Sequence, residues 1–515
     1  MSPTSAAPIV TAQCMDYDDL AWDRGDRLFE PWKDKLFERD VLRAIGGFIE
    51  KHRGGVPDEL FAPKRGAFNT WLRMRFKDGG SAVIRFPCPG ASVFPEEKVK
   101  REVAVMRFLE LFTNIPVPHI LHYGMTEQSP RDLGPFIVME YINHEHDFID
   151  ALNVPGRSRQ DRPFLDPNVS ADRLELVYSQ MADIILQLSK HSFSEIGCIA
   201  KANEDDEFDD TWIVKHRPLT FNMNELVQLG DVHPELLPQQ TFKTASSYYQ
   251  ALAEMHMTHL SSQRNDAIES AEDCRQKYIA RCLFRKITRE HQLCADDTGP
   301  FKLFCDDFRP GNVLCNEKFQ MTGVVDWEFT YAAPTGFAYS PPFWLLLELP
   351  EFWEKGLDDW IENYEKVLPI FFKVLKEREE KAIAQGTLKD TDRLFGRMLE
   401  SWQSGDFWLN YAARKSWAFD MIYWAKIDRR FFGDGDLEDR LQLLTPEERE
   451  QMDGFIQRKL KEKEERILTD LLSFIMLLNF FPLSSCGIIV AAGASNRINA
   501  LFDVHIELVT SCLVS

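Results

Sequence analysis

Much is missing from this sequence, and each absence removes a class of protein. Its ten cysteines form no Cys-x-x-Cys pair and no Cys/His cluster with zinc spacing. Scattered through 515 residues, they read as reduced thiols and point to a cytoplasmic setting. Basic charge is scarce: 60 Lys and Arg stand against 81 Asp and Glu, a formal net charge of −21, with no Lys/Arg stripe. A nucleic-acid partner needs a concentrated basic face to release counterions, so no nucleic-acid binding is expected. The opening residues lack a basic segment followed by an apolar run, so no secretory signal is expected. Long apolar runs are absent until Leu468–Ser515, whose only charges are Asp470, Arg497, Asp503 and Glu507. Asn479, Pro482 and Ser484-Ser485 interrupt that run, so membrane attachment is not expected and a buried or disordered tail, or a mistaken terminus, is favoured.

What is present is ordinary for a globular chain: 44% hydrophobic and 27% charged residues, at a length that calls for more than one packed unit. Four segments are expected: a helical extension over 1–57, a strand-rich lobe over 58–142, a mostly helical lobe over 143–466 and the apolar tail from 467. In Thr70–Phe76, Leu72, Met74 and Phe76 alternate with Trp71, Arg73 and Arg75, the period of a half-buried strand. Lys77-Asp78-Gly79-Gly80 turns the chain back into Ser81–Phe86, giving a hairpin. Pro95-Glu96-Glu97 opens a helix with Val99, Val103 and Met106 on one face and Glu102 at its edge. Phe136–Glu140 is a further strand, and Tyr141-Ile142-Asn143 leads out of it.

One island in the helical region carries chemistry. Phe301–Cys305 and Phe319–Val325 read as strands bracketing a polar loop with Asp306, Asp307, Arg309 and Asn312, and Asp326-Trp327-Glu328 follows the second. If those strands are neighbours, Asp307, Asn312 and Asp326 converge. Two acids and an amide carbonyl are hard oxygen ligands of the kind Mg²⁺ takes, beside phosphate and water. Phosphoryl transfer needs little more than such a metal, a carboxylate for the attacking hydroxyl and cations on the phosphates. The same residues also fit an Asx-turn followed by a helix cap. Arg85 on its strand and Glu102 on the next helix would supply an ion pair that orients the phosphates of ATP. Gly66-Ala67-Phe68-Asn69 could bring backbone N–H groups to phosphates, although it is no Gly-x-Gly-x-x-Gly loop and serves equally as a simple turn. Met139-Glu140-Tyr141-Ile142 could meet adenine through its backbone where the lobes join.

These residues resemble the aminoglycoside phosphotransferase and choline kinase-like family, in particular its large fungal branch. Phe304–Leu314 and Gly323–Glu328 carry the resemblance most specifically. Phe68-Asn69, Val83–Phe86, Glu102, Ile115–Pro118 and Pro341–Trp344 support it. It implies an α+β, protein-kinase-like two-lobed fold, with a small β-rich lobe, a larger helical lobe and ATP in the cleft between them. Asp307 would be the catalytic carboxylate, and Asn312 and Asp326 the Mg²⁺ ligands. Arg85, Glu102, Gly66, Asn69, Glu140 and Ile142 would contact the nucleotide, and the acceptor would be a hydroxylated small molecule. Two positions depart from the family pattern. Cys305-Asp306-Asp307 stands where His-x-Asp is common, and Arg85 where lysine is usual.

The competing reading is a catalytically weak pseudokinase that acts as a nucleotide-binding or interaction module. A protein kinase is disfavoured, because no Asp-Phe-Gly…Ala-Pro-Glu segment is present. The acidic stretch Glu204–Glu207 with Asp209 and Asp210 could face a cationic acceptor, or be a solvated loop.

Overall fold

The computed structural model describes residues 14–158, 161–203 and 209–469. The acidic stretch 204–207 and nearly all of the apolar tail therefore lie outside the described residues. The helical opening consists of two helices, α1 (Asp19–Leu36) and α2 (Arg39–Arg53). Asp18 caps α1, its Oδ1 accepting from the Leu20 and Ala21 N–H groups at 3.1 and 3.0 Å. β1 (Pro57–Leu60), β2 (Lys64–Arg65), β3 (Asn69–Phe76), β4 (Ser81–Pro87), α3 (Pro95–Phe112), β5 (Ile120–Gly124) and β6 (Phe136–Glu140) follow. They form one antiparallel sheet in the order β1-β3-β4-β6-β5, with β2 paired to β3.

β3 alternates as its sequence indicates, with Leu72, Met74 and Phe76 buried. β4 is buried along its whole length, because helices cover both faces of the sheet. Ala82, Ile84 and Phe86 pack into a core with Val41, Ile45 and Ile49 of α2. Val83 joins the other core, with Val99, Val103 and Met106 of α3. Each fully buried aliphatic side chain here contributes roughly 1.5–3 kcal/mol, so α2 is an integral layer of this lobe. α1 spans the two lobes. Its Asp18 cap bonds Asn265 Nδ2 at 3.1 and 3.0 Å and Arg24 pairs with Asp231 at 2.6 Å, while Trp32 Nε1 donates to the Leu133 carbonyl at 2.7 Å.

The second lobe packs helices such as Ala171–Ser189, Phe221–Leu229, Ala245–Ser262, Ala271–Glu290 and Leu357–Ala384 around a continuous core. Its short strands pair differently from the sequence expectation. Phe301–Cys305 pairs with Thr330–Ala333 and Ser192–Phe193, whereas Met321–Val324 pairs with Val313–Cys315. The cause is local: the turn at Asn316, whose Oδ1 accepts from the Lys318 and Gln320 N–H groups at 2.9 and 3.0 Å, closes its own hairpin. Phe301–Cys305 is left to pair with the strand after Glu328. Among the described residues no helix is long and apolar enough to cross a membrane.

Candidate active site

Arg85 lies mid-strand on β4, across from Trp71 of β3 and Ile137 of β6. Its Nη2 donates to Glu102 of α3, and its Nη1 donates to Asp326 Oδ1 at 2.8 Å. The planar guanidinium thus serves two carboxylates at once, one from each lobe, which the point charge of a lysine does in a different geometry. Glu102, at the edge of the apolar face of α3, is buried, and among the described residues its Oε1 has no hydrogen-bond partner.

A second tie between the lobes lies alongside. Lys98, one helical turn before Glu102, pairs with Glu328 at 2.6 Å and donates to Asn69 Oδ1 at 2.8 Å. Asn69 Nδ2 in turn donates to Glu328 Oε2 at 2.9 Å. The turn before β3 is therefore committed to protein contacts. The Gly66 N–H bonds the Asn69 carbonyl at 2.7 Å, and the Phe68 ring meets Phe221 and Phe329 edge-on at 5.4 and 5.6 Å. At the lobe junction the Glu140 and Tyr141 N–H groups bond the His119 and Ser81 carbonyls at 2.9 and 3.0 Å. The Ile142 carbonyl is 2.8 Å from His144 Nδ1.

Asp307 sits on the loop after Phe301–Cys305, its side chain 14% exposed and its Oδ1 3.4 Å from Arg309 Nε. Burial pushes its pKa up, Arg309 and Lys415 pull it down, and Glu328 and Asp306 push it up. Asp306 faces the opposite way, buried against Arg414 Nη1 at 2.7 Å. The loop is anchored by Phe308, whose ring stacks on Trp327 at 6.1 Å. Asn312 ends the 3₁₀ turn Pro310–Asn312, and its carbonyl accepts from the Val325 N–H at 2.9 Å, so the loop runs beside the segment leading to Asp326. Asp326 takes a left-handed backbone, φ +59°, which an Asp tolerates better than most residues. Its side chain is 43% exposed.

Whether these residues fit a divalent cation can be judged from their free oxygens. Among the described residues no donor engages Asn312 Oδ1 or Asp326 Oδ2, while the Asn312 Nδ2 lies 3.5 Å from the Asp326 carbonyl. Two uncommitted hard oxygens suit Mg²⁺, which keeps water and phosphate in its remaining positions. Among the described residues no group of three or more His, Cys, Asp or Glu forms a metal cage.

Sequence reading missed several residues. Lys98 had a local signal, since it lies four residues before Glu102 on the same helical face. Glu328 sat in a segment already singled out, but its partner did not. Arg414, Lys415, Glu225 and Glu351 reach the site from distant elements and carry no local pattern.

No family model matches the chain. The Clavilactone A biosynthesis cluster protein Y of Ampulloclitocybe clavipes is 22% identical over 332 residues, covering 63% of this chain and 70% of that protein. Among solved structures, an ethanolamine kinase of Plasmodium vivax aligns with 80% of this chain and 82% of its own, at 11% identity and a TM-score of 0.37. A macrolide 2'-phosphotransferase of Brachybacterium faecium aligns with 73% of this chain and 96% of its own, at 12% identity and a TM-score of 0.33. Likeness at this level says nothing about the reaction.

The sheet order, the single helix between β4 and β5 and the cleft constellation define the chain's class as a protein-kinase-like, two-lobed α+β fold. Within it, the chain resembles the aminoglycoside phosphotransferase and choline kinase-like group through Phe304–Leu314 and Gly323–Glu328.

Proposed function

We propose that the chain is an ATP-dependent phosphotransferase that moves the γ-phosphoryl group to a hydroxyl of a small molecule. One observation carries this reading: Arg85 joins Glu102 of one lobe to Asp326 of the other, beside the loop that presents Asp307 and Asn312. In this reading Arg85 orients the phosphates with Glu102 holding it in place. Asn312 and Asp326 would hold Mg²⁺, which when bound neutralises phosphate charge. The Gly66–Asn69 turn borders the phosphates, and Glu140 and Ile142 border the base. Asp307 accepts or orients the proton of the acceptor hydroxyl. As that oxygen bonds to the γ-phosphorus, the bond to the β–γ bridging oxygen breaks and ADP leaves. The raised pKa of Asp307, caused first by burial, makes it a better proton acceptor than a solvated aspartate.

The name of the Ampulloclitocybe clavipes relative, a clavilactone A biosynthesis cluster protein, supports a biosynthetic small molecule as the acceptor class, and the scattered cysteines support a cytoplasmic setting. A second reading, a catalytically weak nucleotide-binding or interaction module, draws on one contact. Asp326 already accepts from Arg85 at 2.8 Å, so an arginine competes with the metal for that carboxylate.

The test is Mg²⁺-dependent ATP consumption by the full chain against a panel of hydroxylated small molecules, for wild type and Asp307→Ala. Acceptor-stimulated turnover that falls roughly 10²–10⁴-fold in Asp307→Ala, with nucleotide binding kept, supports the kinase. Nucleotide binding without turnover for any acceptor supports the second reading.

A further inference from the structure

One buried cation near Asp307 is used by neither lobe tie. Lys415 follows the helix Asp406–Arg414 and is only 8% exposed, yet among the described residues no carboxylate oxygen lies within 4.0 Å of its ammonium. No hydrogen bond engages that ammonium among the described residues. Its neighbours there are the faces of Phe221 and Phe343, with ring centroids 4.4 and 5.9 Å away. Burying an ammonium without a counter-ion is costly, and cation–π contact offsets only part of that cost. The chain on both sides of Lys415 is held. Arg414 bonds Asp306 at 2.7 Å, the Ser416 N–H bonds Asn222 Oδ1 at 3.0 Å, and the Ser416 hydroxyl lies 3.2 Å from His256 Nδ1.

The charges acting most on Asp326 are Arg85, Glu328, Asp307 and Lys98. Those acting on Glu225 are Lys415, Glu351, Asp306 and Asp307. Asp307 is the carboxylate common to both sets, and Lys415 also lowers Asp307. Glu225 and Phe221 share one helical face, four residues apart. Glu351 Oε2 accepts from the Tyr411 hydroxyl at 2.7 Å. Burial pushes the Glu225 carboxyl up to about 8, against the pull of Lys415, and burial raises Glu351 as well. The ammonium of Lys415, with no hydrogen-bond partner and no carboxylate oxygen within 4.0 Å among the described residues, is the charge here that a ligand would neutralise.

We propose that the region around Lys415 is the acceptor site and that Lys415 binds an oxyanion of the acceptor, a carboxylate carried near the hydroxyl that is phosphorylated. The proposal rests on the phosphotransferase reading. Phe221 and Phe343 form the apolar walls, and Glu225 stands one helical turn from Phe221. The acceptor class is a hydroxy acid rather than an amine. The same ammonium could instead meet the γ-phosphate of ATP, which shares the oxyanion chemistry, and the experiment separates the two sources.

Calorimetric titration of the full chain with Mg·ADP and Mg·AMP-PNP comes first, for wild type and Lys415→Met. Failure of wild type to bind either nucleotide overturns the phosphotransferase reading itself. With Mg·AMP-PNP bound, glycerate and 4-hydroxybenzoate are then titrated against glyceramide and 4-hydroxybenzamide. The expected result is an acid preference of about tenfold or more in wild type, the worth of one charge-assisted hydrogen bond. That preference should vanish in Lys415→Met and return in part in Lys415→Arg, with both nucleotide affinities unchanged. Equal binding of acids and amides by wild type, which needs no variant to fold, overturns the proposal. So does a preference that survives Lys415→Met. If Lys415→Met weakens AMP-PNP but not ADP, the ammonium reads the γ-phosphate and the acceptor assignment is wrong.

Discussion

The ammonium of Lys98 lies 2.6 Å from Glu328, tying the helix α3 of one lobe to the Asp326-Trp327-Glu328 turn of the other. Both side chains are buried, at 2% and 3% exposure, and Asn69 bonds to each of them. Removing one partner of such a pair strands the other charge. Lys98→Met is therefore expected to lower unfolding free energy by about 3–5 kcal/mol, and the double variant Lys98→Met/Glu328→Gln by clearly less. Urea unfolding of the single and double variants measures this. Equal losses in both would show that the pair is not what holds these side chains.

Asp326 gives one carboxylate oxygen to Arg85, while its side chain stays 43% exposed. Asp326→Asn keeps the shape but removes the charge. Affinity for Mg·ATP should fall by at least about tenfold, while affinity for ADP without Mg²⁺ changes little. Calorimetry in the presence and absence of Mg²⁺ distinguishes a metal ligand from a residue that only anchors Arg85.

Glu225 sets a pH dependence of stability. Its ordinary value is 4.5 and burial pushes it to about 8 in the folded chain, with Lys415 opposing and Glu351, Asp306 and Asp307 adding to the shift. Between those values the folded chain holds a proton that the unfolded chain has released. Stability therefore falls as pH rises through that window. Glu225→Gln should flatten the fall in melting temperature between pH 5 and pH 8, without removing it, since Asp307 and Glu351 are raised in the same sense. A pH profile as steep as wild type would mean that Glu225 is ionised at neutral pH.

The crossing of α1 over the loop after β4 rests on two glycines. Gly90 has φ +81°, and a Cβ there would come 2.1 Å from the Gly25 carbonyl oxygen. Gly90→Ala should cost about 2–4 kcal/mol from left-handed strain and overpacking together. Gly47 in α2 has nothing within 4 Å of such a Cβ, so Gly47→Ala should be neutral or stabilising by up to about 1 kcal/mol. Thermal melts of the two variants make the comparison.

The parts of this protein that the sequence determines are those governed by short-range periodicity and turn chemistry. The alternation of Leu72, Met74 and Phe76, the Lys77–Gly80 turn and the proline-opened α3 each specify an element from adjacent residues. The spacing of Asp307, Asn312 and Asp326 puts the proposed catalytic carboxylate and the two proposed metal ligands on one short stretch of chain. Tertiary structure alone decided which strands pair around that stretch, because several short strands of similar composition compete and the Asn316 turn closes the nearest hairpin. It also decided that β4 is covered on both faces, that Lys98 meets Glu328, and that Lys415 arrives beside Asp307 from a helix more than a hundred residues away. Charge pairing between distant segments leaves no periodic trace in a sequence. It follows from how the helices pack, and packing is a property of the whole chain.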